Sequence, residues 1–289
     1  MGLGAGVVAP VRVTLDVEGE PLADHGDAVA GNLSRLRWLN STVGSEPTLT
    51  HPFNPVQTAG RRIKVLGREL ELGADGLPAR ITSYFSPANT RIVDSGREVL
   101  ARPAAFVVET AAGPVAWEHT FESINHTDLE AQWSARGAAD GLRLETSGWL
   151  DYTGSGEVRI RLRAERDVEL KDARLEMPFR KEASRYFMGL HRQGGRWPGQ
   201  VAWKWDVTKR QDCFWLGDVN AGLMLRFKDA DYLRPPVNIY YAFRPLRLPI
   251  SWGNGGLGGI AVAPAADASV LARAYSGPRT LKRGEALEF

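Results

Sequence analysis

One cysteine stands among 289 residues. Cys213 therefore closes no internal disulfide, and a cysteine-based zinc or iron–sulfur centre is excluded with it. No apolar run reaches the ~20 residues that span a bilayer, so no membrane span is expected. An excess of charge of one sign is also lacking. The 36 basic residues stand against 34 acidic ones, and a net charge of +2 gives no electrostatic footing for nucleic acid. The five histidines, His25, His51, His119, His126 and His191, show no metal-ligand spacing. "DHGD" at Asp24 to Asp27 and "DAD" at Asp229 to Asp231 read as solvated turns, the latter without the distal glutamate of a calcium loop. "GLGAG" from Gly2 has no strand before it, and "GNGGLGG" from Gly253 precedes a strand rather than a helix, so neither reads as a phosphate cradle. No cofactor is expected. The start, "MGLGAGVVAPVRVTLDVEG", has no basic region ahead of its apolar residues and makes a poor signal peptide. The cellular location stays open, and an extracellular or periplasmic setting is compatible with the sequence.

Helical signals are nearly as scarce. "ASVLARAYSG" from Ala268 reads as one short helix, with Asp267 as its N-cap, or as a strand. Elsewhere the texture is strand, turn, strand. "RRIKVLGRELELGADGLPARITSYF" from Arg61 alternates apolar and polar residues, turns at "GADG" and alternates again. The same design recurs around "AAGP", "GAADG", "YTGSG" and "DVNAG". About fifteen strand candidates occur at the 8–12-residue spacing of sandwiches and barrels. With no βαβ alternation and no repeat period, the chain reads as all-β. The expected architecture is one large antiparallel β-sandwich over residues 1–289, with few or no helices. The terminal "GPRTLKRGEALEF" looks like a turn and an opening strand, as in a chain cut from something longer.

Four of the nine tryptophans fall in "GRWPGQVAWKWDVTKRQDCFWLGD", Gly195 to Asp218. Trp203 and Trp205 are two apart, so a strand puts both rings on one face, with Lys204 and Asp206 on the other. Trp197 lies in a Gly/Pro loop beside Arg196 and Pro198. Aromatic faces suit the C–H faces of sugar rings, and neighbouring charged groups suit their hydroxyls. Arg192, Trp197, Trp203, Lys204, Trp205 and Asp206 are therefore the candidates for a surface that meets carbohydrate or a partner domain. Trp215, between Phe214 and Leu216, reads as core, and Cys213 as a small buried hydrophobe. No catalytic residue is assigned. The carboxylates a glycosidase would need are scattered over Glu118, Glu122, Asp206, Asp212 and Asp218, and sequence does not pair them.

Several long segments also resemble one family. "LRWLNSTVG" (from Leu36), "LGRELELGADGLPARITSYF" (from Leu66), "FMGLHRQGGRWP" (from Phe187), "WKWDVTKRQDCFWLGDVNAGL" (from Trp203) and "PVNIYY" (from Pro236) are similar to the N-terminal β-sandwich region of glycoside hydrolase family 123 proteins. The resemblance implies a β-sandwich followed by a (β/α)8 barrel. That barrel carries a vicinal Asp-Glu pair for substrate-assisted hydrolysis of β-linked N-acetylgalactosaminides. No Asp-Glu dipeptide occurs in this chain, so the family's catalytic residues map onto nothing here. The implied partners are a glycan containing N-acetylhexosamine and a C-terminal catalytic barrel of the same protein. Three readings remain: an accessory module of a larger glycosidase, an independent carbohydrate-binding protein, and a self-contained β-sandwich glycosidase or polysaccharide lyase.

Overall fold

The computed structural model describes residues 12–17, 19–21, 23, 42, 44–205, 213–230 and 249–289. The sequence reads as one domain from 1 to 289; by packing, the chain divides into two compact units, Met1–Pro47 and Thr48–Phe289. The second unit is all-β, with antiparallel pairing throughout four sheets and one short helix among the described residues.

The first sheet is a meander of β1 (Gln57–Ala59), β2 (Arg62–Val65), β3 (Arg68–Leu72), β4 (Pro78–Phe85) and β5 (Ile92–Glu98). It holds the expected turn at "GADG" between β3 and β4. The second sheet runs in the order β21 (Ala286–Glu288), β11 (Gly156–Ala164), β10 (Leu142–Asp151), β9 (Glu130–Ala139) and β8 (Glu118–His126). The third has the order β15 (Val201–Lys204), β18 (Gly259–Pro264), β19 (Val270–Tyr275), β12 (Val168–Phe179), β6 (Ala105–Thr110) and β7 (Gly113–Pro114), with β20 (Arg279–Leu281) also on β12. The fourth runs β14 (Arg192–Arg196), β13 (Tyr186–Gly189), β16 (Cys213–Asp218) and β17 (Ala221–Arg226). The "ASVLARAYSG" segment is the strand β19. Asp267 serves a turn there instead of a helix, accepting bonds from the Ser269 N–H and hydroxyl. The helix is the single turn α1 (Ile250–Gly253).

The alternation of buried and solvated residues builds the core. On β10, Leu142, Leu144 and Thr146 are buried while Arg143 and Glu145 are exposed. That period of two places one apolar face per sheet. The second and third sheets share one large apolar cluster, in which Leu144 and Leu162 join Phe106, Val108, Ile260 and Val262. Phe289 closes it, its ring 5.0 Å from Phe106 and 4.7 Å from Trp252. A smaller cluster joins the first and second sheets through Val56, Ile63, Val65, Leu72, Ala131 and Trp133. There the Trp133 indole N–H donates to the Gly76 carbonyl at 2.9 Å, satisfying a polar atom that burial would otherwise strand.

The fourth sheet docks on the large cluster by one face only. Phe187, Phe214 and Leu216 point inward, with Phe187 and Phe214 stacked at 5.6 Å. Met188 and Met224, one residue along, are 45% and 53% exposed. Phe214→Ala is therefore expected to cost about 3–5 kcal/mol, and Met224→Ala less than about 0.5 kcal/mol. Urea unfolding of the two variants checks this. Comparable losses would mean that the sheet is buried on both faces.

Candidate functional site

The structure separates the sequence candidates by depth. Trp203 and Trp205 share a face as their spacing requires, but the face is the core: they are 5% and 6% exposed and belong to the large cluster. The Trp203 ring lies 5.5 Å from that of His191. Neither indole presents a face to a ligand. Lys204 points the other way, donating from Nζ to the Leu257 carbonyl at 2.7 Å and lying 4.9 Å from the Tyr275 ring centroid. Arg192 is exposed at the end of β14 opposite Gly189. Asp206 lies outside the described residues, as do Asp24, His25, Asp27, Asp212, Asp231 and the "PVNIYY" segment.

Trp197 and Trp215 remain, and they stand on the fourth sheet and its border. Trp215 is not core. It is partly buried, lies outside the large cluster and alternates with the inward Phe214 and Leu216. Its register partners are Met188 and Met224, so the three make one outward row across β13, β16 and β17. The next row is Tyr186, Gly217 and Gly222. The two glycines are the bed of the indole. A Cβ at Gly217 would stand 2.5 Å from Trp215 Cζ2 and 2.6 Å from the Gly222 Cα. One at Gly222 would stand 2.8 Å from the same ring atom. With no side chain beneath it, the indole lies across the sheet. This is the posture a sugar platform needs.

Cations collect beside this row. Tyr186 pairs with Arg196 of β14, and the Arg185 guanidinium lies 5.3 Å from the Tyr186 ring centroid. Just beyond is a hollow of about 370 Å³ whose lining includes Lys181, Ser184, Arg185, Arg196 and Trp197. Trp197 is held by its N–H on the Arg185 carbonyl at 2.9 Å, with its ring 5.6 Å from Phe187. Among the described residues the lining contains no carboxylate. The two nearest by bonding are already engaged. Asp267 accepts from the Ser269 hydroxyl and N–H and from Arg102, which hold it at about 2 instead of the ordinary 3.8. Burial alone would raise Asp218, but the Val219 N–H at 2.8 Å and Arg97 at 2.9 Å outweigh it and hold it below the usual range.

Arg97 also fixes where this surface sits. It donates to Asn220 Oδ1 at 2.7 Å, to Asp218 and to the Glu182 carbonyl. Asn220 donates from Nδ2 to the Phe85 carbonyl at 2.6 Å, and its own carbonyl accepts from Ser83. One guanidinium from β5 thus ties the β16–β17 turn and the short 3-10 turn Lys181–Ala183 to the first sheet.

Other groupings are less apt. Glu118 and Glu122 lie on β8, with Glu122 paired to Arg136, far in the topology from Asp218 on β16. Asp172 and Glu176 are partly buried, but Arg174 ties both, at 3.5 and 2.8 Å, and Arg273 also reaches Glu176. A second hollow of about 570 Å³ on the first sheet holds one charge of each sign, Lys64 and Asp94. Among the described residues no three His, Cys, Asp or Glu side chains converge as a metal site, and no helix is long and apolar enough to cross a membrane. Cys213 is partly buried instead of fully enclosed.

Sequence reasoning missed Tyr186, Lys181 and Arg185 and took Trp215 for core. The signal was there in part: "KEASRY" before β13, and glycines two residues after Trp215 and across the "DVNAG" turn. A family model described as glycoside hydrolase 123, third domain, matches residues 56–289. A search of curated proteins gave no match. The matched description names a third domain, where the sequence resemblance took the region for N-terminal.

This geometry makes two outcomes measurable. Gly217→Ala is expected to lift the indole, cost about 1–3 kcal/mol through overpacking and shift the tryptophan emission; an unchanged spectrum and stability would mean that the ring does not rest there. Asp218 is depressed in the fold, so the unfolded chain binds its proton first. Its contribution is complete above the ordinary carboxylate value and is lost as pH falls through the folded one. Asp218→Asn should therefore flatten the acid limb of the stability–pH curve below about pH 4, read by urea midpoints across that range.

Proposed function

The chain belongs to the glycoside hydrolase 123 family, and from that membership we propose that it is a carbohydrate-associated, non-catalytic β module of a glycosidase. The observation that carries this reading is the outward row of Tyr186 and Trp215 with the cationic hollow at Trp197, on a chain of that family. Aromatic faces and guanidinium donors bind sugars; they do not move protons at neutral pH, since arginine keeps its charge. Glycoside hydrolysis needs carboxylic acid and carboxylate in reach of one bond, and among the described residues the hollow lining offers neither. A domain described as third implies companions. We assign the hydrolytic step to such a companion, the barrel of the resemblance, with N-acetylgalactosaminide activity belonging to the whole protein. The module's work is to hold a glycan strand near that centre.

The purified chain is expected to bind oligosaccharides and to leave an aryl N-acetyl-β-galactosaminide intact. Trp215→Ala or Trp197→Ala should weaken binding by about 1–2 kcal/mol in calorimetric titration, and Trp215→Ala should leave the fold unchanged. Trp203→Ala should instead cost about 3–5 kcal/mol of stability. Turnover by the isolated chain, or binding to no member of a glycan array, would overturn the proposal.

A further inference from the structure

Resting on that module reading, the charge of the surface identifies a ligand class. The chain as a whole is nearly neutral, with 36 basic and 34 acidic residues. Many exposed arginines elsewhere sit beside a carboxylate: Arg143 with Glu165, Arg166 with Asp140, Arg159 with Glu157. The border of the fourth sheet is different. Lys181, Arg185 and Arg196 converge on one hollow with Trp197, and no carboxylate is part of the lining among the described residues. Asp218 and Asp267, which approach it, are paired to Arg97 and Arg102, and Asp218 acts on Arg185 only through space. Asp267 is also saturated by Ser269. Three like charges around about 370 Å³ repel one another, and a ligand anion relieves that repulsion. Ser184 is tied to the Arg180 carbonyl at 2.8 Å, so the cations dominate the polar face.

Backbone register and one cation–ring contact, Arg185 over Tyr186, link this hollow to the aromatic row. Arg196 pairs with Tyr186, Tyr186 with Gly217, and Gly217 lies under the Trp215 indole. A pyranose on Trp215 or Tyr186 can therefore carry a substituent into the hollow. We propose that the module binds an anionic saccharide, its ring on the Tyr186–Trp215 row and its sulfate ester or carboxylate against Arg185, Arg196 and Lys181. Guanidinium forks match both oxyanions bidentately. The ring contacts supply the sugar's hold, and the cations select the charged form over the neutral one.

The test titrates the 289-residue chain with three oligosaccharides of equal length: a neutral N-acetylhexosamine oligomer, its sulfate ester and a hexuronate-containing oligomer. An anionic ligand is expected to bind about tenfold more tightly than the neutral one, equivalent to about 1.4 kcal/mol, with the preference lost at about 1 M salt. Sulfate alone, hexuronate alone or both showing the preference names the source of the anion and supports the proposal. The Arg185→Gln/Arg196→Gln double variant should lose the anionic preference and bind all three alike, with its unfolding midpoint unchanged. Equal affinity for neutral and anionic oligomers would overturn the charge selection and leave the module reading standing. Binding to none would overturn both. A preference that survives the double variant would place the anion elsewhere and also overturn the proposal.

Discussion

The packing of Phe187, Phe214 and Leu216 into the main core decides the orientation of the fourth sheet, and the candidate surface exists only because of it. Each of these side chains is almost fully enclosed. Because a strand repeats every two residues, burying them commits Met188, Trp215 and Met224 to the opposite face. A slip of one residue would exchange the faces. It would bring Trp215 against the core and put Phe214 and Leu216 into solvent. Large apolar side chains cannot be exchanged this way without losing several kcal/mol of burial, so register and surface are one choice.

Polar contacts then fix position in the plane. Arg97 and Asn220 join the β16–β17 turn to β4 and β5 through hydrogen bonds that are partly shielded from water. Such charge-assisted bonds contribute more than neutral ones and are directional, which apolar packing is not. The same guanidinium reaches the Glu182 carbonyl, so the turn that carries Lys181 moves with the sheet that carries Trp215. The cationic hollow and the aromatic row are thus parts of one body. Asp218, the carboxylate of this network, is held by Arg97.

The family membership and this surface point the same way. Among the described residues no acid pair converges on the hollow, and beside it stand flat rings and planar donors of the kind that suit a sugar. Gly217 and Gly222 are as much a part of that surface as the indole they support, because their missing side chains let the ring lie down. The surface is built by subtraction as well as by addition.

Local pattern was enough to read several features. Alternation and turn chemistry made the chain all-β, and the "GADG", "AAGP", "GAADG", "YTGSG" and "DVNAG" turns fall between paired strands. The spacing of Trp203 and Trp205 placed them on one face, and the long segments pointed to the glycoside hydrolase 123 family. What spacing alone could not say is which face is inside. Period two is symmetric between the faces, so only the partner layer breaks the tie. That layer buried Trp203 and Trp205 and turned Trp215 outward. Nor could spacing bring Lys181 and Arg185 beside Arg196 and Trp197 while leaving Arg192 at the far end of its hairpin. That selection depends on antiparallel register, which sets Tyr186 opposite Arg196 and Gly189 opposite Arg192. The amino-acid sequence by itself determined the strands, their turns and the family. The tertiary structure decided which rings and charges share a surface, because only packing against the other sheets chooses between two faces that the chain alone leaves equivalent.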